Sequence, residues 1–294
     1  RKESSAASDV YKRKSSNGTE TNPAETIDRA DFKKIYADLG YDQALEQDSG
    51  SLSYTANLGD DYRLIVIDAC IYNNDAANPH QDTAGELHSG QMSWVLAQIK
   101  KAIQDGRRPI GMLHHGLVPH TAIQSTFFPQ YLLKDYETIS HTLADAGLGL
   151  VFTGHFHSQD VAVTTTKKGN KLYDMETGSL VTYPSPVRTV ALHGDQVTYK
   201  SDSVNSLDGL NENIVSSAAI YQAVGGDFSQ YAQQYLLKGL TDQVPGMLAY
   251  LLMQNGLDQE TALTQAKTLS DSKPFGNKTT LSQFLAACMA CLLY

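Results

Sequence analysis

The sequence predicts an α/β layered fold with a largely buried sheet, followed by a small all-helical domain. Three observations carry this. Helical and strand patterns alternate across residues 89–155, the signature of a sheet with helices laid on it. Residues 64–67 read LIVI, a continuous apolar run that suits a strand covered on both faces. Past residue 158 the period becomes that of hairpins, and from about 205 onward it is helical only.

The elements follow in order. Residues 1–25 are rich in Ser, Lys, Asn and Glu, which predicts a polar, mobile surface segment. A short helix is expected at DRADFKKIYADLG, stopped by Gly40. SLSYTANLGDDYRLIVIDA predicts strands over about 51–57 and 62–69 around a Gly-Asp-Asp turn. A polar loop at 72–88 leads into SGQMSWVLAQIKKAIQDG, a helix with a Ser cap and a Gly stop. RRPIGMLHH (107–115) is a strand. The loop GLVPHTAIQSTFFPQ, a helix near 134–146 and the strand LGLVFTGH follow. Two hairpins come next, turning at Lys-Gly-Asn and at His-Gly-Asp. Five helical stretches close the chain, at NENIVSSAAIYQAV, DFSQYAQQYLLKGL, TDQVPGMLAYLLMQNG, DQETALTQAKTLS and TLSQFLAACMACLLY. The expected divisions are 1–25, 26–204 and 205–294.

Composition narrows the functions. The 294 residues carry a formal net charge of −9, which argues against a nucleic-acid-binding surface. A phosphate-bearing substrate stays compatible, since a bound cation inverts the local field. No apolar run reaches the roughly 18–20 residues that span a bilayer. The chain begins at Arg1 and ends on an apolar helical stretch, so it is expected to be a piece of something longer. Cys70 follows an apolar strand, and Cys288 and Cys291 form a C-x-x-C inside an apolar helix. They are expected to be buried, inert thiols. The Met-Leu-rich helix 247–253 and Tyr221, Phe228, Tyr231 and Tyr235 are expected to form a small core.

The chemistry-bearing residues are the histidines at strand ends. His155 and His157 follow the apolar run LGLVFT, and in an extended segment residues two apart point to one side. His114 and His115 follow the strand PIGML in the same way. In open α/β sheets the ligand crevice lies beyond the carboxyl ends of the strands, and neutral imidazole is the commonest protein ligand for transition metals. His80, His88, His141 and His193 are expected to be surface or hydrogen-bonded residues.

GMLHHGLVPH and VFTGHFHSQD, in that order and spacing, resemble the last two motifs of the calcineurin-like metallophosphoesterases. The bacterial branch with SLSY before a strand like RLIVIDA, and Gly90, Gln91 and Trp94 in the next helix, is similar over about 25–203. Some members also append a small helical C-terminal domain, which fits 207–294. The resemblance implies part of a β-sandwich flanked by helices and a metal-dependent phosphoesterase, a phosphodiesterase by preference. It implies two divalent or trivalent ions (manganese, iron or zinc) and a bridging hydroxide that attacks phosphorus. It assigns His114, His155 and His157 as metal ligands, and His115, His120 and Asp160 as neighbours of substrate or ligands. The family's three earlier motifs (Asp-x-His, Gly-Asp-x-x-Asp and Gly-Asn-His-Asp/Glu) do not occur here. Gly59-Asp60-Asp61 lacks the spacing. The chain is therefore expected to hold only the His-rich half of the site, without the general acid or bridging Asp, and to be inactive alone.

Three other readings bear on the same residues. A metallo-β-lactamase-like site needs His-x-His-x-Asp-His, and the run 155–160 places neither its Asp nor its third His. A serine hydrolase needs a Gly-x-Ser-x-Gly elbow, which is absent from the sequence. A non-catalytic binding module on the same fold would use 207–294 as its contact surface. For an enzyme, the partner is a phosphate-ester small molecule, selected by the loops 72–88 and 116–133.

Overall fold

The structure, a computed structural model, describes residues 14–16, 21–23, 27–71, 83–206, 227–274 and 278–293. The expected helix at 211–224, Tyr221 and most of the 72–88 loop lie outside the described residues. The chain divides into two compact units, one of residues 1–156 and 161–176, the other of 157–160 and 177–294.

The first unit begins with a short ladder of β1 (Lys14–Ser16) and β2 (Thr21–Pro23). Helix α1 (Arg29–Ile35) starts on a capping box, in which the Asp28 carboxylate accepts from the Asp31 N–H and Asp31 answers. A seven-stranded sheet then forms from β3 (Glu46–Gln47), β4 (Tyr54–Leu58), β5 (Tyr62–Val66), β6 (Arg108–Met112), β7 (Leu150–Thr153), β8 (Asp160–Thr165) and β9 (Lys171–Glu176). Its spatial order is β3-β4-β5-β6-β7-β9-β8. β3–β4–β5 are antiparallel, while the pairs β5–β6, β6–β7 and β7–β9 are parallel. Parallel neighbours require crossovers, and α2 (Gln91–Gln104) and α4 (Tyr136–Ala146) supply two of them. The α3 turn (Gln124–Phe127) lies in the long loop between.

α2 turns Val95, Ile99 and Ala102 inward at helical spacing, and α4 turns Leu143 and Ala144. They meet Ile65, Ile67, Val151 and Leu172 from the sheet. Burial of each large aliphatic side chain contributes about 1.5–3 kcal/mol. The two helices also touch each other, so one face of the sheet carries this core. The expectation that LIVI is covered on both faces holds on one face only. Ile65 and Ile67 are buried, whereas Leu64 and Val66 are half-buried.

Helix α2 lacks the expected Ser cap. Gly90 is its N-cap, at φ +84° and with no side-chain cap bond. Gln91 takes over part of that work from within the core. Its Oε1 accepts from the His88 N–H at 2.8 Å, and its Nε2 donates to the Asp68 carbonyl at 2.6 Å and to Ser53 Oγ at 2.9 Å. Ser53 Oγ in turn accepts from the Asp68 N–H at 2.9 Å. The SLSY and Gly-Gln-x-x-Trp motifs are thus one buried polar junction at the end of β5. Burial, with Asp68 nearby, also pushes the Tyr41 phenol well above its usual value. Gln91→Ala is expected to cost about 1–3 kcal/mol, because it strands buried donors and acceptors. Urea unfolding at neutral pH measures it.

In the second unit, β10 (Pro186–His193) and β11 (Gln196–Ser203) form a two-stranded antiparallel sheet through Gly194, at φ +58°. The strands end at Ser203 and helices follow. Two expected helices are one, α5 (Phe228–Gln254), with Pro245 inside it. A proline inside a helix costs about 3 kcal/mol, and the burial of Leu240, Val244 and Ala249 on either side opposes that cost. α6 (Gln259–Asp271) begins on Asp258, whose carboxyl is held below its usual value by hydrogen bonding from Thr261. α7 (Leu281–Leu293) follows. The small core here is mainly alanine, with Ala249, Ala262 and Ala266 against Leu248, Leu252 and Leu257. Tyr235 is exposed rather than core. Cys288 is also exposed, against expectation. α7 buries Ser282, Ala286 and Met289, and helical geometry puts residue 288 off that stripe. Cys70 is half-buried.

Candidate functional site

Four consecutive strands of the sheet, β5, β6, β7 and β9, carry polar residues at or just beyond their carboxyl ends: Asp68, His114, His155 and Glu176. That edge is where open α/β sheets place their ligands.

The structure brings His114, His115 and His155 together. His114 Nε2 and His155 Nδ1 lie 2.8 Å apart, and the ring centroids of the three histidines are separated by 4.4–5.4 Å. The Tyr131 ring lies 4.6 Å from that of His155. Backbone pairing of β6 and β7 continues past the strands, as the Gly154 N–H donates to the His114 carbonyl at 3.1 Å. A strap at 83–88 covers the group. The Thr83 carbonyl lies 2.8 Å from His155 Nε2 and 3.1 Å from His115 Nε2. A carbonyl only accepts, so both Nε2 atoms carry protons. His155 then accepts at Nδ1 the proton of His114 Nε2, and the tautomers of the pair are fixed. His115 is 2 % exposed, and its ring packs where Gly85 leaves room. A Cβ at position 85 would stand 2.5 Å from His115 Nδ1.

The premise that His155 and His157 share one side of an extended segment fails. Their φ angles are +69° and +64°, in the left-handed region that ordinary residues rarely occupy. The Phe156 N–H turns back to the Gly154 carbonyl at 2.8 Å. The chain leaves β7 in a tight turn, so alternation does not apply. His157 belongs to the second unit, where its Nδ1 lies 3.2 Å from Thr182 Oγ1. Asp160 is in that unit too, and its carbonyl accepts from Arg188 Nη1 at 3.3 Å.

Burial pushes the His157 imidazole below its usual 6.5. The unfolded chain therefore binds a proton at this position that the folded chain resists. The folded state is favoured above about pH 6.5 and loses that advantage as pH falls through the lowered value. Thermal unfolding of the wild type should drop more steeply below pH 6.5 than that of His157→Asn, which tolerates the positive φ. Parallel slopes would contradict this.

His120 lies further along the loop that carries His114 and His115. Its ring is fully buried, with Nε2 3.5 Å from Asp174 Oδ1 and 3.4 Å from Glu176 Oε2. Asp174 Oδ2 accepts the N–H groups of Leu117 at 2.6 Å and Val118 at 3.0 Å, and Oδ1 accepts the Thr153 hydroxyl. Neither carboxylate was singled out from the sequence, although a signal was present. Leu172, Asp174 and Glu176 alternate along β9 on its buried face, and acids in such a series require partners.

Among the described residues, no group of three His, Cys, Asp or Glu side chains could hold a metal ion. Two imidazole nitrogens on one tetrahedral cation stand about 3.3 Å apart for metal–nitrogen bonds near 2.05 Å, farther than the hydrogen-bonded His114–His155 pair. These residues do not fit the complete two-metal centre that the sequence resemblance implies. No helix among the described residues is long and apolar enough to cross a membrane.

No protein-family model matches the chain, and no curated protein matches it. Among solved structures it is similar to a dimetal phosphatase from Danio rerio, at 15 % identity and a TM-score of 0.45. The match covers 60 % of this chain and 65 % of that one.

Proposed function

We propose that the chain belongs to a metal-dependent phosphoester hydrolase and carries the imidazole half of its cation site, with a phosphodiester as the favoured substrate. One observation supports this above the others. His114 and His155 stand just beyond the carboxyl ends of adjacent parallel strands, within the two sequence motifs that carry the resemblance. When bound, cations in such a site neutralise charge on phosphate oxygens and activate water. His114 and His155 are the imidazole donors of this reading. The ions are manganese, iron or zinc, and the carboxylate ligands are not among these His motifs.

Calorimetric titration with zinc and with manganese tests the reading. Binding is expected in the wild type, and at least about tenfold weaker binding in His114→Ala and in His155→Asn. The chain alone should turn over neither p-nitrophenyl phosphate nor bis-p-nitrophenyl phosphate. Absence of binding, or binding that survives both substitutions, overturns the assignment.

A further inference from the structure

The loop that leaves β6 carries His114 and His115 and then runs to α3. Its backbone is tied down in two places. The Gly116 N–H donates to the Tyr131 carbonyl at 3.1 Å, and the Leu133 N–H returns to the Gly116 carbonyl at 2.9 Å. Two and three residues after the histidine pair, the Leu117 and Val118 N–H groups land on Asp174 Oδ2. The third attachment is the side chain of His120, wedged against Asp174 and Glu176 on β9. All three side chains are fully buried. The His120 N–H is itself held, by Gln124 Oε1 at 2.7 Å.

Two carboxyl groups two residues apart on the buried face of a strand are poorly solvated and need polar partners. An imidazole within 3.5 Å of both is the group that lets them stay together, and it comes from the loop. Removing the imidazole leaves a reason for the loop to lift and admit water. The loop and the His114–His155 pair are then no longer fixed to one another.

We propose that His120 is a positioning residue. Clamped by Asp174 and Glu176, it holds the loop after β6 against β9 and so fixes the placement of His114 and His115. The proposal rests on the hydrolase reading only for what His114 does. Its structural content stands by itself.

Imidazole ¹⁵N–¹H spectra of the whole chain test it. In the wild type, His114 and His155 should each give a single tautomer, protonated at Nε2. In His120→Asn and in Glu176→Gln, those signals should move toward tautomer-averaged positions, and the His155 Nε2 proton should exchange faster by tenfold or more. Glu176→Gln keeps the shape of the side chain and removes one charge, so it reports even where His120→Asn does not fold. Ala262→Gly weakens a separate cluster, that of Ala249, Ala262 and Ala266, and should leave both rings unchanged. Unchanged His114 and His155 signals in folded Glu176→Gln overturn the proposal, as does an equal response in Ala262→Gly. Because the readout needs no metal, failure here is distinct from failure of the zinc and manganese titrations.

Discussion

Asp174→Ala lowers the free energy of unfolding by about 3–5 kcal/mol, because it strands several buried donors at about 1–3 kcal/mol each. The carboxylate is 0 % exposed and occupied on both oxygens. Two backbone N–H groups and one hydroxyl lose their acceptor together, and the His120 ring loses one of its two carboxylate neighbours. Water does not reach these groups unless the loop opens. Asp174→Asn keeps one carbonyl oxygen for Leu117 and Val118, so it should cost less, about 1–3 kcal/mol. Urea denaturation of the three proteins gives the order wild type, Asn, Ala. An alanine variant within 1 kcal/mol of the wild type would mean that the carboxylate is not holding the loop.

The second large effect is at His155. Its ring donates to the Thr83 carbonyl from Nε2 and accepts from His114 at Nδ1, and it meets the His115 ring edge-on and the Tyr131 ring at a tilt. His155→Ala removes all of these at once. Each lost hydrogen bond that leaves a partner buried costs about 1–3 kcal/mol, which corresponds to roughly 5–150-fold in an opening equilibrium. The strap at 83–88 should therefore open more often. Amide exchange should quicken at Glu86, whose N–H is bonded to the Ala69 carbonyl, and at Lys134, whose N–H is bonded to the Gly85 carbonyl. The backbone confounds this measurement unless it is controlled, since φ is +69° at residue 155 and alanine there is strained by about 1–2 kcal/mol. His155→Asn tolerates the conformation better. Faster exchange in both variants assigns the strap to the ring, whereas faster exchange in alanine alone assigns it to strain.

These two residues also show what could be read in advance. His155 was visible as a polar residue after an apolar run, and strand ends are where sheets bind ligands. Its neighbour His157 was visible on the same ground, but the inference that both face one way assumed an extended chain. A left-handed turn at both positions voids it, and nothing local in Gly-His-Phe-His announces that turn. Asp174 lies in KLYDME, which the sequence predicts only as one half of a hairpin. The hairpin itself formed, but β9 pairs with β7 as well as with β8, and that second pairing buries one of its faces. Cys288 failed for a related reason. An apolar helix was taken as buried all round, whereas only the stripe through Ala286 and Met289 found neighbours.

The sequence by itself determined the alternation of helix and strand and the histidines at the ends of β6 and β7. These follow from hydrophobic period and from residue types that act within a few positions of one another. The tertiary structure alone decided that Thr83 caps two imidazoles and that His120 meets Asp174 and Glu176. It also decided that α5 runs through Pro245. Each of these depends on groups brought together across tens of residues, or on packing that outweighs a local preference. Short-range pattern carries no record of either.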